Sequence, residues 1–238
     1  IYEEHELADL PEVTRIRVPV RMSAEQRLYH ERITDRLKEV KGDYRSLENI
    51  FTRFRQCASG FLSLKDDDES RVEVQINPNP KLDALEQVVT DLPSSEKFLI
   101  FYQFHYSGHL IRALLDSLKL PWATLYGRQR MAADGLKQEG QYERFLQERR
   151  CRAFVLQNQA GSEAINPHKV CRYVWFYERP DDPIISQQAE KRVNRPGQPR
   201  PCFIGDLVVL GSIEEKLLGY VQESRDMRQA VLRGEEKL

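Results

Sequence analysis

From Lys81 onward the chain alternates short apolar runs with longer amphipathic ones, and that alternation restricts its possible folds more than any other feature. Phe98-Leu99-Ile100-Phe101-Tyr102, Ala153-Phe154-Val155-Leu156 and Tyr173-Val174-Trp175-Phe176-Tyr177 are continuous apolar segments of strand length. Such runs mark strands buried on both faces. Trp122 to Tyr126 and Cys202 to Val209 complete a set of five strands. Between them, Leu82, Leu85, Val88, Val89 and Leu92 recur at helical spacing, and further helices are expected over 109–120, 132–149 and 184–194. Strand, helix, strand units repeated in this way build a mainly parallel sheet covered by helices on both faces, an α/β fold. Ligands of such sheets bind outside the carboxyl ends of the strands, so residues just after each strand are the first candidates for function.

The front of the chain reads differently. Ile16, Val18 and Val20 alternate with Arg15, Arg17 and Arg21, the pattern of a half-buried strand, and Pro19 argues for an edge. Ser23-Ala24-Glu25-Gln26 is a capping box opening a helix that ends near Gly42. A second helix is expected from Tyr44 to Cys57, with Leu47, Ile50, Phe51 and Phe54 inward and Arg53 and Arg55 as incidental surface cations. A polar, acid-rich loop follows over 65–71, and Asn77-Pro78-Asn79-Pro80 ends this section. At the far end, Ser212-Ile213-Glu214-Glu215 caps a closing helix to about Arg233. Three pieces are therefore expected: a strand and helical extension over 1–78, a lobe over 79–211, and a closing helix over 212–238.

The net charge of −1 gives no global attraction for nucleic acid, so any such surface must be a local patch. The four cysteines stand far apart with no C-x-x-C pair, which predicts reduced, buried thiols, a cytoplasmic setting and no metal site. No apolar run reaches the length of a membrane span. The chain opens at Ile1 rather than methionine, so a piece of a longer protein is expected.

Chemistry is concentrated in Gln188-Ala189-Glu190-Lys191-Arg192-Val193-Asn194-Arg195-Pro196-Gly197-Gln198. Arginines three residues apart share a helix face, and their planar forks fit phosphate oxygens. On its own the pair is equally a solvated helix end favoured by the helix dipole. The pattern Q-A-x-x-R-x-x-R-x-G-Q resembles the last motif of the second RecA-like lobe of Swi/Snf-type ATPases, a branch of the DNA helicase and translocase superfamily. The resemblance implies a RecA-like three-layer sandwich, with Arg195 as arginine finger and Arg192 as its phosphate-contacting neighbour. It also implies ATP with Mg2+ held mainly by a first lobe of the same protein, and a double-stranded DNA backbone as the track.

Other segments follow the family order. Gln103-Phe104 after the first strand of the lobe matches the family's Q-F, and Leu125-Tyr126-Gly127 its L-x-G, both placed near the DNA backbone. Gln157-Asn158-Gln159-Ala160-Gly161-Ser162-Glu163-Ala164-Ile165-Asn166 is similar to S-T-x-A-G-G-x-G-I-N. There Asn158 and Gln159 stand at DNA-facing positions, while Gly161 and Asn166, with Gln188, stand at nucleotide-facing ones. Ser162, Glu163 and Ala164 depart from the family's glycine-rich pattern. Glu178-Arg179-Pro180-Asp181-Asp182-Pro183 keeps little of D-x-x-W-N-P beyond its proline, and Leu210 to Leu218 is close to K-G-T-V-E-E-K-I-L.

The loop G-x-x-x-x-G-K-[ST], whose backbone amides cradle phosphates, occurs nowhere in the sequence. Asp66-Asp67-Asp68-Glu69 is not fed by an apolar strand and is no substitute for a magnesium-binding acid pair. The isolated chain is therefore expected to be inactive and to supply the trans half of an ATP site, in a nucleoid or another DNA-containing compartment. Two other readings stay open: a catalytically degenerate lobe used for docking or regulation, and an RNA-directed helicase lobe.

Overall fold

The computed structural model describes residues 10–39, 44–65, 71–160 and 165–233. They form two compact units, each built from separate stretches of chain. One contains the described residues up to Val18, Glu86–Pro180 and Ile184–Asp206; the other contains Pro19–Leu85, Asp181–Pro183 and the chain from Leu207.

In order, the elements are β1 (Val13–Val20), α1 (Ala24–Glu39), α2 (Tyr44–Ala58), β2 (Phe61–Lys65), β3 (Arg71–Gln75), α3 (Pro80–Asp91), β4 (Lys97–Tyr102) and α4 (His105–Ser117). Then come β5 (Trp122–Leu125), α5 (Arg128–Ala133), α6 (Gln141–Gln147), β6 (Ala153–Gln157), a 3-10 turn over Pro167–Lys169, β7 (Cys171–Phe176), α7 (Pro183–Glu190), β8 (Cys202–Val209), α8 (Ile213–Gln222) and α9 (Met227–Leu232).

The first unit is built on a six-stranded sheet in the order β1-β8-β7-β4-β6-β5. Ile100 sits level with Val155 on one side and Trp175 on the other, in parallel register. Burial explains the apolar runs: Phe98 to Tyr102 and Ala153 to Leu156 are wholly inaccessible because helices cover both faces. The strand containing Pro19 lies at the sheet edge, where a missing N–H costs nothing. Gly205 is level with Trp175, and a Cβ there would come within 2.0 Å of the indole, so β8 can pass the ring only as glycine.

The second unit packs Ile33, Ile50, Phe51 and Phe54 against Ile213, Leu217, Val221, Met227 and Val231. The first and last pieces expected from the sequence thus share one core. The capping box is present: Gln26 N donates to Ser23 Oγ at 3.1 Å, and Ser23 N to Gln26 Oε1 at 3.0 Å.

Several expectations are corrected. Phe61–Lys65 and Arg71–Gln75 pair antiparallel on either side of the loop expected over 65–71, as two strands that the sequence reading did not assign. The helix expected over 132–149 is two short helices, α5 and α6, because Gly135 and Gly140 adopt φ values of +73° and +81°, which no right-handed helix contains. The closing helix is likewise divided, with Ser224 at φ +57° and Asp226 capping α9. The acid-rich stretch 66–69 lies outside the described residues.

Candidate functional site

Polar residues at the strand exits knit the sheet together. Glu178 lies two residues beyond the end of β7, and its buried carboxylate accepts from Gln103 N at 2.6 Å, Phe104 N at 3.0 Å and the Ser107 hydroxyl. Those groups open α4, where amides lack helical partners and a negative charge is favoured. Asn158 is completely buried; its Nδ2 donates to Gln103 Oε1 at 2.9 Å and to Glu178 O at 3.1 Å, while its N–H donates to Tyr102 O at 2.8 Å. The ends of β4, β6 and β7 are thereby tied by one carboxamide.

Asn158, expected among the DNA-facing residues, spends its amide N–H groups on protein partners. Its amide faces inward, because three strand ends present more polar backbone than water can reach. Gln103 and Phe104 are half-buried, with the Gln103 side chain engaged by Asn158. Gln159 and Gly127 are exposed. Gly127 has φ −48° and nothing within 4 Å of an added Cβ, so the turn itself does not require glycine there.

The paired arginines stand elsewhere, in the segment feeding β8. Helix α7 ends at Glu190, four residues before the expected Asn194, so Arg192 and Arg195 lie on successive tight turns rather than on a last helical turn. Arg192 N donates to Ala189 O at 3.2 Å, Val193 N to Glu190 O at 3.2 Å and Gln198 N to Arg195 O at 3.1 Å. Pro196 has no N–H to continue the helix, and Gly197 at φ +88° turns the chain away. The arginines therefore do not follow the carboxyl-end rule that suits the strand-exit residues.

What they meet is the segment feeding β7. Arg192 Nη1 donates to Ile165 O at 3.2 Å, Arg195 Nη1 donates to Asn166 Oδ1, and Asn166 N donates to the Tyr142 hydroxyl at 2.8 Å. Gln198, the buried end of the motif, donates to His168 O at 2.6 Å and Cys171 O at 2.9 Å, locking the two segments together. Burial and the charge of Arg195 lower the pKa of Arg192. The fold thus brings Arg192, Arg195 and Asn166 into one cluster, with Tyr142 as a member that no motif signalled. Gln188 lies exposed on α7 outside these contacts, and Gly161 lies outside the described residues with Ser162, Glu163 and Ala164.

A third arginine holds this cluster's helix in place. Arg179 is buried beneath the start of α7, donating to Asp206 Oδ1 at 2.6 Å and Oδ2 at 2.9 Å, to Ser186 Oγ at 2.6 Å and to Glu190 Oε1 at 2.7 Å. Arg15 grips both oxygens of Glu190 at 2.9 and 2.7 Å. Burial works against the Arg179 charge, yet the two carboxylates hold its pKa above the ordinary value. Burial likewise works to raise Glu190, but Arg15 and Arg179 bring it below the usual carboxylate range. One signal in the sequence pointed here: Asp206, an acid inside an apolar strand, requires a buried cation.

The six parallel strands with helices on both sides are a RecA-like α/β lobe. The structure is similar to the C-terminal part of the Fun30 ATPase domain, with a TM-score of 0.75 at 16% identity over 95% of this chain and 98% of that one. No family model matches the chain. Among sequences it is 25% identical over 243 residues to the putative ATP-dependent helicase/translocase YwqA of Bacillus subtilis (strain 168), covering 98% of this chain. It is 26% identical over 88% of its length to the probable ATP-dependent DNA helicase CHR12 of Arabidopsis thaliana. A RAD54-like DNA repair and recombination protein of Drosophila persimilis is 44% identical over 69 residues, which cover 29% of this chain and 9% of that protein. The homologues of this chain are thus Swi/Snf-type ATP-dependent helicases and translocases. The chain spans 25% of the length of the Bacillus relative and 19% of CHR12.

Proposed function

We propose that this chain is the C-terminal motor lobe of an ATP-dependent DNA translocase, supplying cations in trans to a nucleotide bound by another lobe of the same protein. The observation that carries this reading is the Arg192–Arg195 turn. The two guanidiniums are half-buried, held in fixed positions by neutral oxygens of Ile165 and Asn166, and set close enough for one charge to lower the pKa of the other. Planar guanidinium forks set side by side fit the oxygens of a polyphosphate.

Arg195 would act as the finger on the terminal phosphate, with Arg192 beside it and Asn166 orienting Arg195; Mg2+ and most of the ATP would be held by the first lobe. The nucleotide supplies the phosphoryl group to be transferred. This chain's residues hold charge in place for it, and Tyr142 and Gln198 keep that charge from moving. Gln103, Phe104, Gly127 and Gln159 would lie along the duplex backbone without reading bases, and Asn158 would act through Gln103. A nucleoid or nuclear setting follows from a DNA track; among the described residues no helix is long and apolar enough to cross a membrane.

In the full-length protein, Arg195→Ala is expected to lower DNA-stimulated ATP hydrolysis by about a thousandfold while leaving ATP affinity nearly unchanged. Turnover equal to wild type would overturn the assignment. A second reading, a docking lobe without motor activity, is favoured by the inward commitment of Asn158. It would show as wild-type protein whose phosphate release does not respond to duplex DNA.

A further inference from the structure

The second unit pairs two buried cations with acids. Lys81, fully buried, bonds Glu214, and Arg55, buried, lies 3.3 Å from Asp181. Arg36 of α1 and Arg71 at the start of β3, both exposed, and half-buried Arg53 of α2 line a cavity of about 280 Å³, and among the described residues no acid lines it with them. Among the described residues none of the three is in an ion pair. The walls between them carry hydrogen-bonding side chains, Asn49 and Thr52 from the same face of α2 and Ser63 from β2. Burial of Arg53, together with the charge of Arg36, lowers the Arg53 pKa.

We infer that this cavity is a phosphate-binding site, in which Arg36, Arg53 and Arg71 surround one phosphate group and the neighbouring hydroxyl and amide side chains complete its hydrogen bonds. Three forked cations on three separate elements, with neutral donors between them, match a tetrahedral oxyanion better than a planar carboxylate, which one fork satisfies. The phosphate belongs either to a small free phosphate or to the backbone of a nucleic acid. The site is independent of the arginine turn, which lies in the other unit, so failure of the Arg195 experiment leaves it standing.

The test uses full-length protein and the variants Arg53→Gln and Arg71→Gln, alone and combined, with far-UV circular dichroism to confirm folding. Arg71 is exposed at a strand end, so Arg71→Gln serves even if Arg53→Gln does not fold. Pyrophosphate is titrated by calorimetry, and a labelled 20-base-pair duplex by anisotropy over a range of salt. A free-phosphate site loses one pyrophosphate equivalent, or about tenfold in affinity, in the variants. A backbone site instead shows duplex affinity falling about tenfold in the double variant, with the salt dependence shallower by roughly one unit of log–log slope per arginine removed. Wild-type behaviour of folded variants in both titrations overturns the inference.

Discussion

Arg179 and the pair Arg192–Arg195 stand within one short stretch of sequence, yet they live in opposite electrostatic conditions. Arg179 is enclosed by Asp206 and Glu190, and those carboxylates raise its pKa against burial. Arg192 donates to a carbonyl and Arg195 to a carboxamide, and burial with a second cation lowers the pKa of Arg192. A guanidinium already answered by carboxylates has little left to offer a ligand and acts as a strut. The forks of Arg192 and Arg195, bonded to a carbonyl and a carboxamide, are the ones proposed to meet an anion that arrives later. Residue type and spacing do not separate these two settings; the partners that the fold supplies do.

The largest effect that distinguishes them is on stability. Arg179→Met leaves Asp206 and Glu190 without their shared cation and is expected to cost about 3–5 kcal/mol, because one partner of a buried ionic network has been removed. Arg192→Met loses a bond to a carbonyl and is expected to cost roughly 1 kcal/mol. Urea-induced unfolding of both variants measures the contrast, and equal losses would erase it.

A smaller effect follows from pH. Glu190 has a folded pKa below its ordinary value of 4.5, so it binds fewer protons folded than unfolded. Its stabilisation is present above that value and is lost as pH falls through the folded pKa. Asp206 is raised by burial despite Arg179 and works in the opposite sense over the same acidic range. Glu190→Gln should therefore flatten the acid-side decline in stability below pH 4.5. A variant whose melting temperature falls with acid as steeply as the wild type would show that Glu190 is not the group responsible.

The smallest effect concerns the strand exits. Gly127→Ala meets no neighbouring atom and should change stability by no more than about 0.5 kcal/mol. If a phosphate approaches that backbone, the added methyl should cost about 1 kcal/mol of duplex binding, roughly fivefold. Unchanged affinity would remove Gly127 from the proposed DNA track and leave it a plain turn residue.

Much of the fold was legible because burial on both faces writes itself into consecutive residues. Phe98–Tyr102 and Tyr173–Phe176 need no partner to be recognised as interior strands. The hairpin of β2 and β3 was less visible, since its strands are five residues each and Val72 and Val74 remain exposed. The break between α5 and α6 was missed because Leu136, Tyr142 and Phe145 keep an apolar spacing across it, whereas backbone conformation at Gly135 and Gly140 decides the path. In the site, the arginine motif was readable from its pattern, but Tyr142, which bonds Asn166 from 24 residues away, carried no local signal.

Taken alone, the sequence determined the parallel sheet, its strand-by-strand order of motifs and the presence of two closely spaced arginines, all of which depend on neighbours along the chain. Tertiary structure alone decided that Asn158 turns inward, that α7 stops at Glu190, and that Arg179 is neutralised by Asp206, 27 residues away, and by Glu190, which Arg15 grips from a separation of 175. Local pattern records where apolar side chains must go. Which charges cancel depends on distances through space, and those exist only once the chain has folded.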